Sequence, residues 1–135
     1  KRMSLTEKLL AVDVAKYKEK KTSTLEIKRL SKVVGEPFII KIQEIDDERL
    51  QELQAMILTD NGKVDYTKTR GVNALLCVES VIEPDLRDVK LRTHFGAATP
   101  KELAEILFKG DDLGMVADAI LALNNYGDGE EDKKN

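Results

Sequence analysis

Three observations predict an α+β fold, with an N-terminal antiparallel two-stranded β-hairpin packed on a mainly α-helical domain. Apolar residues alternate over 24–30 and again over 38–45, and period-two patterning places one face of a strand on a core. Helix-start and helix-stop signals then recur from Asp46 to the end of the chain, and helices are what two otherwise marginal strands need to cover their apolar face. A length of 135 residues supports one core and leaves no room for a second substantial one. The expected organisation is an N-terminal segment and charged connector over 1–23, a single globular domain over 24–126, and a disordered acidic and polar tail over 127–135.

At the N-terminus Ser4, with Glu7 three positions later, forms a capping-box pattern for a short helix over 4–11. Lys16, Lys18, Lys20 and Lys21, with Tyr17 and Glu19 among them, read as a solvated connector into the first strand. In that strand Leu25 and Ile27 alternate with Glu26 and Lys28; in the second, Phe38, Ile40 and Ile42 alternate with Ile39, Lys41 and Gln43. Between them 31–37 reads as a loop broken by Gly35 and Pro37, long for a tight hairpin but compatible with antiparallel pairing.

Asp46 reads as an N-cap, with Ile45 and Leu50 as a hydrophobic staple and Leu50, Leu53 and Ile57 as one stripe up to Asp60-Asn61-Gly62. A central helix is expected over 65–82, halted by Pro84, whose ring disfavours helical geometry at Glu83 and removes a donor. A short helix over 88–95 pairs Leu91 with Phe95 and ends at Gly96. Thr99-Pro100-Lys101-Glu102 is the sharpest local signal, since Thr at N-cap, Pro at N1 and Glu at N3 each meet a different demand of a helix start. That helix is expected to carry Leu103, Ile106 and Leu107 inward and to end at Gly110. The last one, capped by Asp111 or Asp112, shows Leu113, Val116, Ala117, Ile120, Leu123 and Asn124 on one side. After Tyr126 no apolar residue remains to offset the entropy of ordering.

Composition narrows the function classes. Hydrophobic residues at 41% and charged residues at 35% fit a soluble globular domain, and a net charge of −3 supplies no global positive field for nucleic acid. The single cysteine, Cys77, lies among Leu75, Leu76 and Val78 and is expected as a buried thiol in a reducing compartment, which points to the cytoplasm. The longest apolar run, 74–78, falls far short of the roughly 20 residues a membrane helix requires, and no signal-peptide region opens the chain.

His94 is the only histidine, so a His-rich or Cys/His metal site cannot be built from this chain. Cys77 with His94 is the only nucleophilic pair available, and it would need a depressed thiol pKa that the apolar run around Cys77 does not offer. Asp46-Asp47-Glu48 and Asp111-Asp112 stand at helix starts, where capping and the helix dipole explain them better than a cation does. Phosphate-loop, dinucleotide, nucleophile-elbow and calcium-loop patterns are missing, so the expectation is a protein without catalysis, metal or cofactor. The connector lysines with Tyr17 leave open a small nucleic-acid-associated regulator. Phe108 and Met115 fall off the apolar stripes of their helices; such residues either touch a neighbouring element or line a patch that receives a partner helix.

Leu9-Leu10 with Asp13, Ile27-Lys28-Arg29-Leu30, Gly35-Glu36-Pro37-Phe38, residues 46–53, Asp85-Leu86, Leu91, Phe95-Gly96, Thr99-Pro100-Lys101-Glu102-Leu103 and Ala119-Ile120-Leu121-Ala122-Leu123 form an ordered set along the chain. That set resembles the XkdN-like tail assembly chaperones of phages and prophages. No single piece is specific; the order over nearly the whole length carries the likeness. The resemblance implies a cytoplasmic assembly factor that binds the tail tape measure protein and keeps it soluble, with no membrane or cofactor, and it leaves homo-oligomerisation open. Its motifs are structural, so it assigns no binding residue.

Overall fold

The computed structural model describes residues 2–126. Ser4 accepts a hydrogen bond from the Glu7 amide while Glu7 accepts one from the Ser4 amide, so the expected capping box starts α1 (Leu5–Leu10). Asp13 caps α2 (Val14–Tyr17), which gives part of the expected connector a helical turn. Every described residue up to 24 is exposed.

The expected pairing of two antiparallel strands is present, but not as a hairpin. Strand β1 (Thr22–Glu26) pairs with β2 (Ile39–Gln43), Thr22 opposite Gln43 and Glu26 opposite Ile39. Helix α3 (Lys28–Val34) occupies the connection, including 28–30, where strand was expected, and 31–34, where loop was expected. Ile27 and Leu30 stand three apart and are both buried, a spacing that a helix satisfies as well as a strand does. Ser31 then locks the ends of the connection: its hydroxyl donates to Glu26 at 2.7 Å and accepts from the Phe38 amide at 2.8 Å. Gly35 closes α3 at φ +82°, a conformation that side chains disfavour.

A third strand, β3 (Val81–Glu83), was not anticipated and makes the sheet order β1-β2-β3. Helix α5 (Thr69–Ser80), preceded by a 3₁₀ turn at Tyr66–Lys68, therefore stops earlier than the expected residue 82. Pairing with β2 captures Val81, and the buried Ser80 hydroxyl donates to the Gln43 carbonyl at 2.5 Å, so helix end and strand start are fastened together. Pro84 follows through a cis peptide bond.

Helix α4 (Asp47–Ala55) buries Leu50 and Leu53 and places Ile57 beyond its end, against the core. Helix α6 (Val89–Phe95) begins with Asp88 as its N-cap and ends at left-handed Gly96, the stop read from sequence. Helix α7 (Pro100–Leu107) has the expected start: Thr99 accepts from the Glu102 amide at 3.1 Å, and Glu102 accepts from the Ala98 amide at 3.0 Å. Helix α8 (Asp111–Leu121) runs into a π-helical turn at Ala122–Tyr126. Its N-cap is Gly110, not either aspartate, so the capping expected of Asp111 and Asp112 is corrected; both lie in the first turn, where the dipole favours them. Asp46 likewise occupies the N-cap of α4 without a side-chain cap and pairs instead with Lys20 at 3.5 Å.

Helix α5 packs on both α7 and α8, and the core they share with Ile40 and Ile42 of β2 is closed by Leu76, Leu103, Leu113 and Ile120. Asn124 ties the last turn to the sheet, accepting from the Ile45 amide at 2.7 Å. The acidic tail expected over 127–135 lies outside the described residues.

Candidate partner-binding site

The sequence-predicted pair does not meet on one surface. Phe108 is the C-cap of α7, with φ −101° and ψ 55°, so its side chain leaves the helical direction from which an off-stripe position was inferred. It is fully buried in the core and cannot line an exposed patch in this fold. Met115 is 39% exposed and lines a shallow concavity of about 660 Å³, polar and apolar in equal measure, with Tyr66, Arg70, Asn73 and Asp118.

A second concavity has a different character. Leu30, Val33 and Val34 of α3, Leu91 and Phe95 of α6, and Ile106 and Leu107 of α7 surround an apolar groove of about 460 Å³ that Phe38 and Pro84 also line. Val33 is 69% exposed, Val34 51%, Phe95 42% and Ile106 41%, a cluster of solvent-facing aliphatic and aromatic side chains rather than the scattered singles of an ordinary surface. Ile106 was expected inside with Leu103; it faces this groove instead.

Two cations stand at its rim. Arg29 donates through Nε to Asp112 at 2.8 Å and through Nη2 to the Leu107 carbonyl at 2.5 Å, clamping α3 to the junction of α7 and α8. This holds one wall of the groove against the other. Lys109, on the same rim, has no ion pair among the described residues.

The remaining candidates are placed apart from the groove. Cys77 is fully buried on α5, and loss of solvation pushes its thiol up to about 12. A thiol so placed stays protonated at neutral pH and offers no nucleophile. His94 is exposed, its ring edge-on to Phe95 with centroids 5.3 Å apart, and no hydrogen bond joins it to Cys77 among the described residues. Asp65 and Glu7 have carboxyls held below the usual range by hydrogen bonds from Thr67 and Ser4 respectively, which are local turn and cap contacts. Among the described residues no group of three or more His, Cys, Asp and Glu side chains could hold a metal, and no helix is long and apolar enough to cross a membrane. Lys16, Tyr17 and Lys18 are exposed on and just after α2, and Lys20 is engaged with Asp46.

The XkdN-like phage tail assembly chaperone family matches the chain over residues 6–135. The chain belongs to that family. A relative in Bacillus subtilis (strain 168), the phage-like element PBSX protein XkdN, is 30% identical over 102 residues, covering 71% of this chain and 68% of that protein. The crystal structure of the protein YqbN superposes with a TM-score of 0.55 at 19% identity, over 78% of this chain and 87% of that one, and establishes a shared fold.

The exposed residues of the groove escaped sequence reasoning. Val33 and Val34 sat in a segment read as loop, while Phe95 and Ile106 sat on stripes read as core. The available signal was the spacing Ile27, Leu30, Val34 followed by Gly35, a helix with its stop residue.

Proposed function

We propose that this tail assembly chaperone binds the tape measure protein of its phage or prophage and keeps it soluble in the bacterial cytoplasm until the tail tube forms around it, without catalysis. Family membership supports the chaperone part. The observation that carries the choice of site is the apolar groove between α3, α6 and α7, wide and open enough to take one face of an amphipathic helix. A tape measure protein is long, helical and apolar in places, so its unassembled segments need a reversible apolar cover. Each large side chain laid into such a groove contributes about 1.5–3 kcal/mol when fully buried, and three or four anchors give a hold that assembly can displace. Lys109 at the rim would favour an acidic residue flanking the apolar stripe.

Coexpression with the tape measure protein from the same tail gene cluster tests this reading. The expected result is a soluble complex that copurifies. A tape measure protein that is equally soluble, or equally insoluble, with and without the chaperone would overturn it.

A further inference from the structure

We infer that, before a client arrives, the groove of one chaperone molecule is occupied by the N-terminal arm of a second copy, so that two chains exchange arms reciprocally. This rests on reading the groove as a docking site for apolar helices.

The arm, residues 2–20, is an apolar element with no surface of its own to bury. Leu5 and Leu9 fall on one helical stripe of α1, both exposed, and exposed Val12 and Val14 extend the apolar run past its end into α2. A helix of six residues, none of them buried, is marginal in water even with a capping box, so it needs a surface that covers it. The groove is the complementary case, a cluster of exposed apolar side chains with no helix laid on it.

Geometry directs the exchange between chains. The β1–β2 ladder continues past Thr22, with the Glu44 amide donating to the Lys21 carbonyl and the Lys21 amide to the Glu44 carboxylate, both at 2.9 Å. The arm therefore leaves at the Thr22–Gln43 end of the sheet. Phe38, which lines the groove, lies beyond the Glu26–Ile39 end, about 17 Å from Gln43 along the strand. An arm continuing the strand direction moves away from its own groove, whereas a two-fold axis brings each arm to the other molecule's groove.

Area agrees with that pairing. Two arms and two grooves, each giving four large apolar side chains, bury about 1,200 Å², the lower limit of a stable specific interface and small enough for a client to compete.

The full-length chain is examined by sedimentation and light scattering across a dilution series, with Leu5→Asp/Leu9→Asp on the arm and Ile106→Asp in the groove as separate variants. The expected result is a dimer that dissociates on dilution and is lost in both variants, whose circular dichroism stays that of the parent. Mixing a Leu9→Cys chain with a Val33→Cys chain should yield a disulfide-linked pair of twice the 15.1 kDa chain mass. A parent that is monomeric at high micromolar concentration, a dimer that survives the arm substitutions, or a Leu9→Cys/Val33→Cys chain that closes on itself would each overturn the exchange. Client capture by the same proteins separates the two readings. A monomeric parent that still captures the tape measure protein removes the arm exchange alone, while a dimer sensitive to both variants that captures no client upholds the exchange and removes the client reading.

Discussion

The arm before β1 and the helical layer of α5, α7 and α8 are both rich in leucine and valine, yet one buries them and the other buries none. In the helical layer Leu76, Leu103, Leu113 and Ile120 stand against one another with almost no solvent contact. In the arm Leu5, Leu9 and Leu10 are all largely exposed. Composition is therefore not what separates the stable part of this chaperone from the part available to other molecules; the difference is whether a second apolar face lies within reach. The groove between α3, α6 and α7 stands between these extremes, with Leu30 buried at its floor and Val33 and Val34 open at its lip.

Substitutions graded from core to arm sharpen that contrast. The largest effect belongs to Phe108→Ala, which removes a fully buried ring and should cost about 3–5 kcal/mol in chemical denaturation. A loss below about 1 kcal/mol would mean that Phe108 is not core. Next comes alkaline pH. Cys77 has its pKa raised by burial from 9.0 to about 12, so the folded state favours the neutral thiol. Its contribution is fully present below pH 9 and is lost as pH rises from 9 towards 12, to the extent of several kcal/mol. A Cys77→Ala variant should show a shallower decline over that window, and Cys77 in the parent should resist thiol reagents at neutral pH until the protein is unfolded.

A smaller loss is expected at the boundary between sheet and helical layer. Arg29→Met keeps the apolar stem but removes the hydrogen bonds to Asp112 and Leu107; with Arg29 about a third exposed, solvent screening limits the effect to about 1–2 kcal/mol. Because that clamp holds α3 against α7, client binding should weaken along with stability, as measured by titration calorimetry. The smallest effect is that of Leu9→Asp, which should leave the stability of the isolated chain within about 0.5 kcal/mol of the parent by thermal denaturation. A large loss there would show that the arm packs on its own core.

Sequence patterns revealed the elements whose ends carry their own chemistry. Thr99-Pro100-Lys101-Glu102, Asp88 with Gly96, and Ser4 with Glu7 each satisfy backbone groups locally, so their helices were legible without tertiary knowledge. Elements decided by distant partners were not. Val81-Ile82-Glu83 continues the apolar pattern of α5 and becomes strand only because β2 offers it a ladder. Lys28–Val34 fits strand alternation at its start and helix spacing over its length, and the helical choice comes from burying Ile27 and Leu30 together. Phe108 was misplaced because a wheel projection assumes helical dihedrals at a residue where the helix has already ended. The groove was invisible for the same reason: it is made by three helices from separate parts of the chain, one of which sequence alone reads as strand and loop.

Everything proposed about client binding turns on the exposed apolar wall of that groove. The direct measurement is the soluble fraction of the tape measure protein in cells coexpressing either the parent chaperone or Ile106→Asp, a change at a half-exposed residue that leaves the core intact. The parent should hold the tape measure protein in solution and copurify with it, while the folded variant should leave it in the pellet. A variant that keeps the tape measure protein as soluble as the parent does would contradict the assignment of this groove.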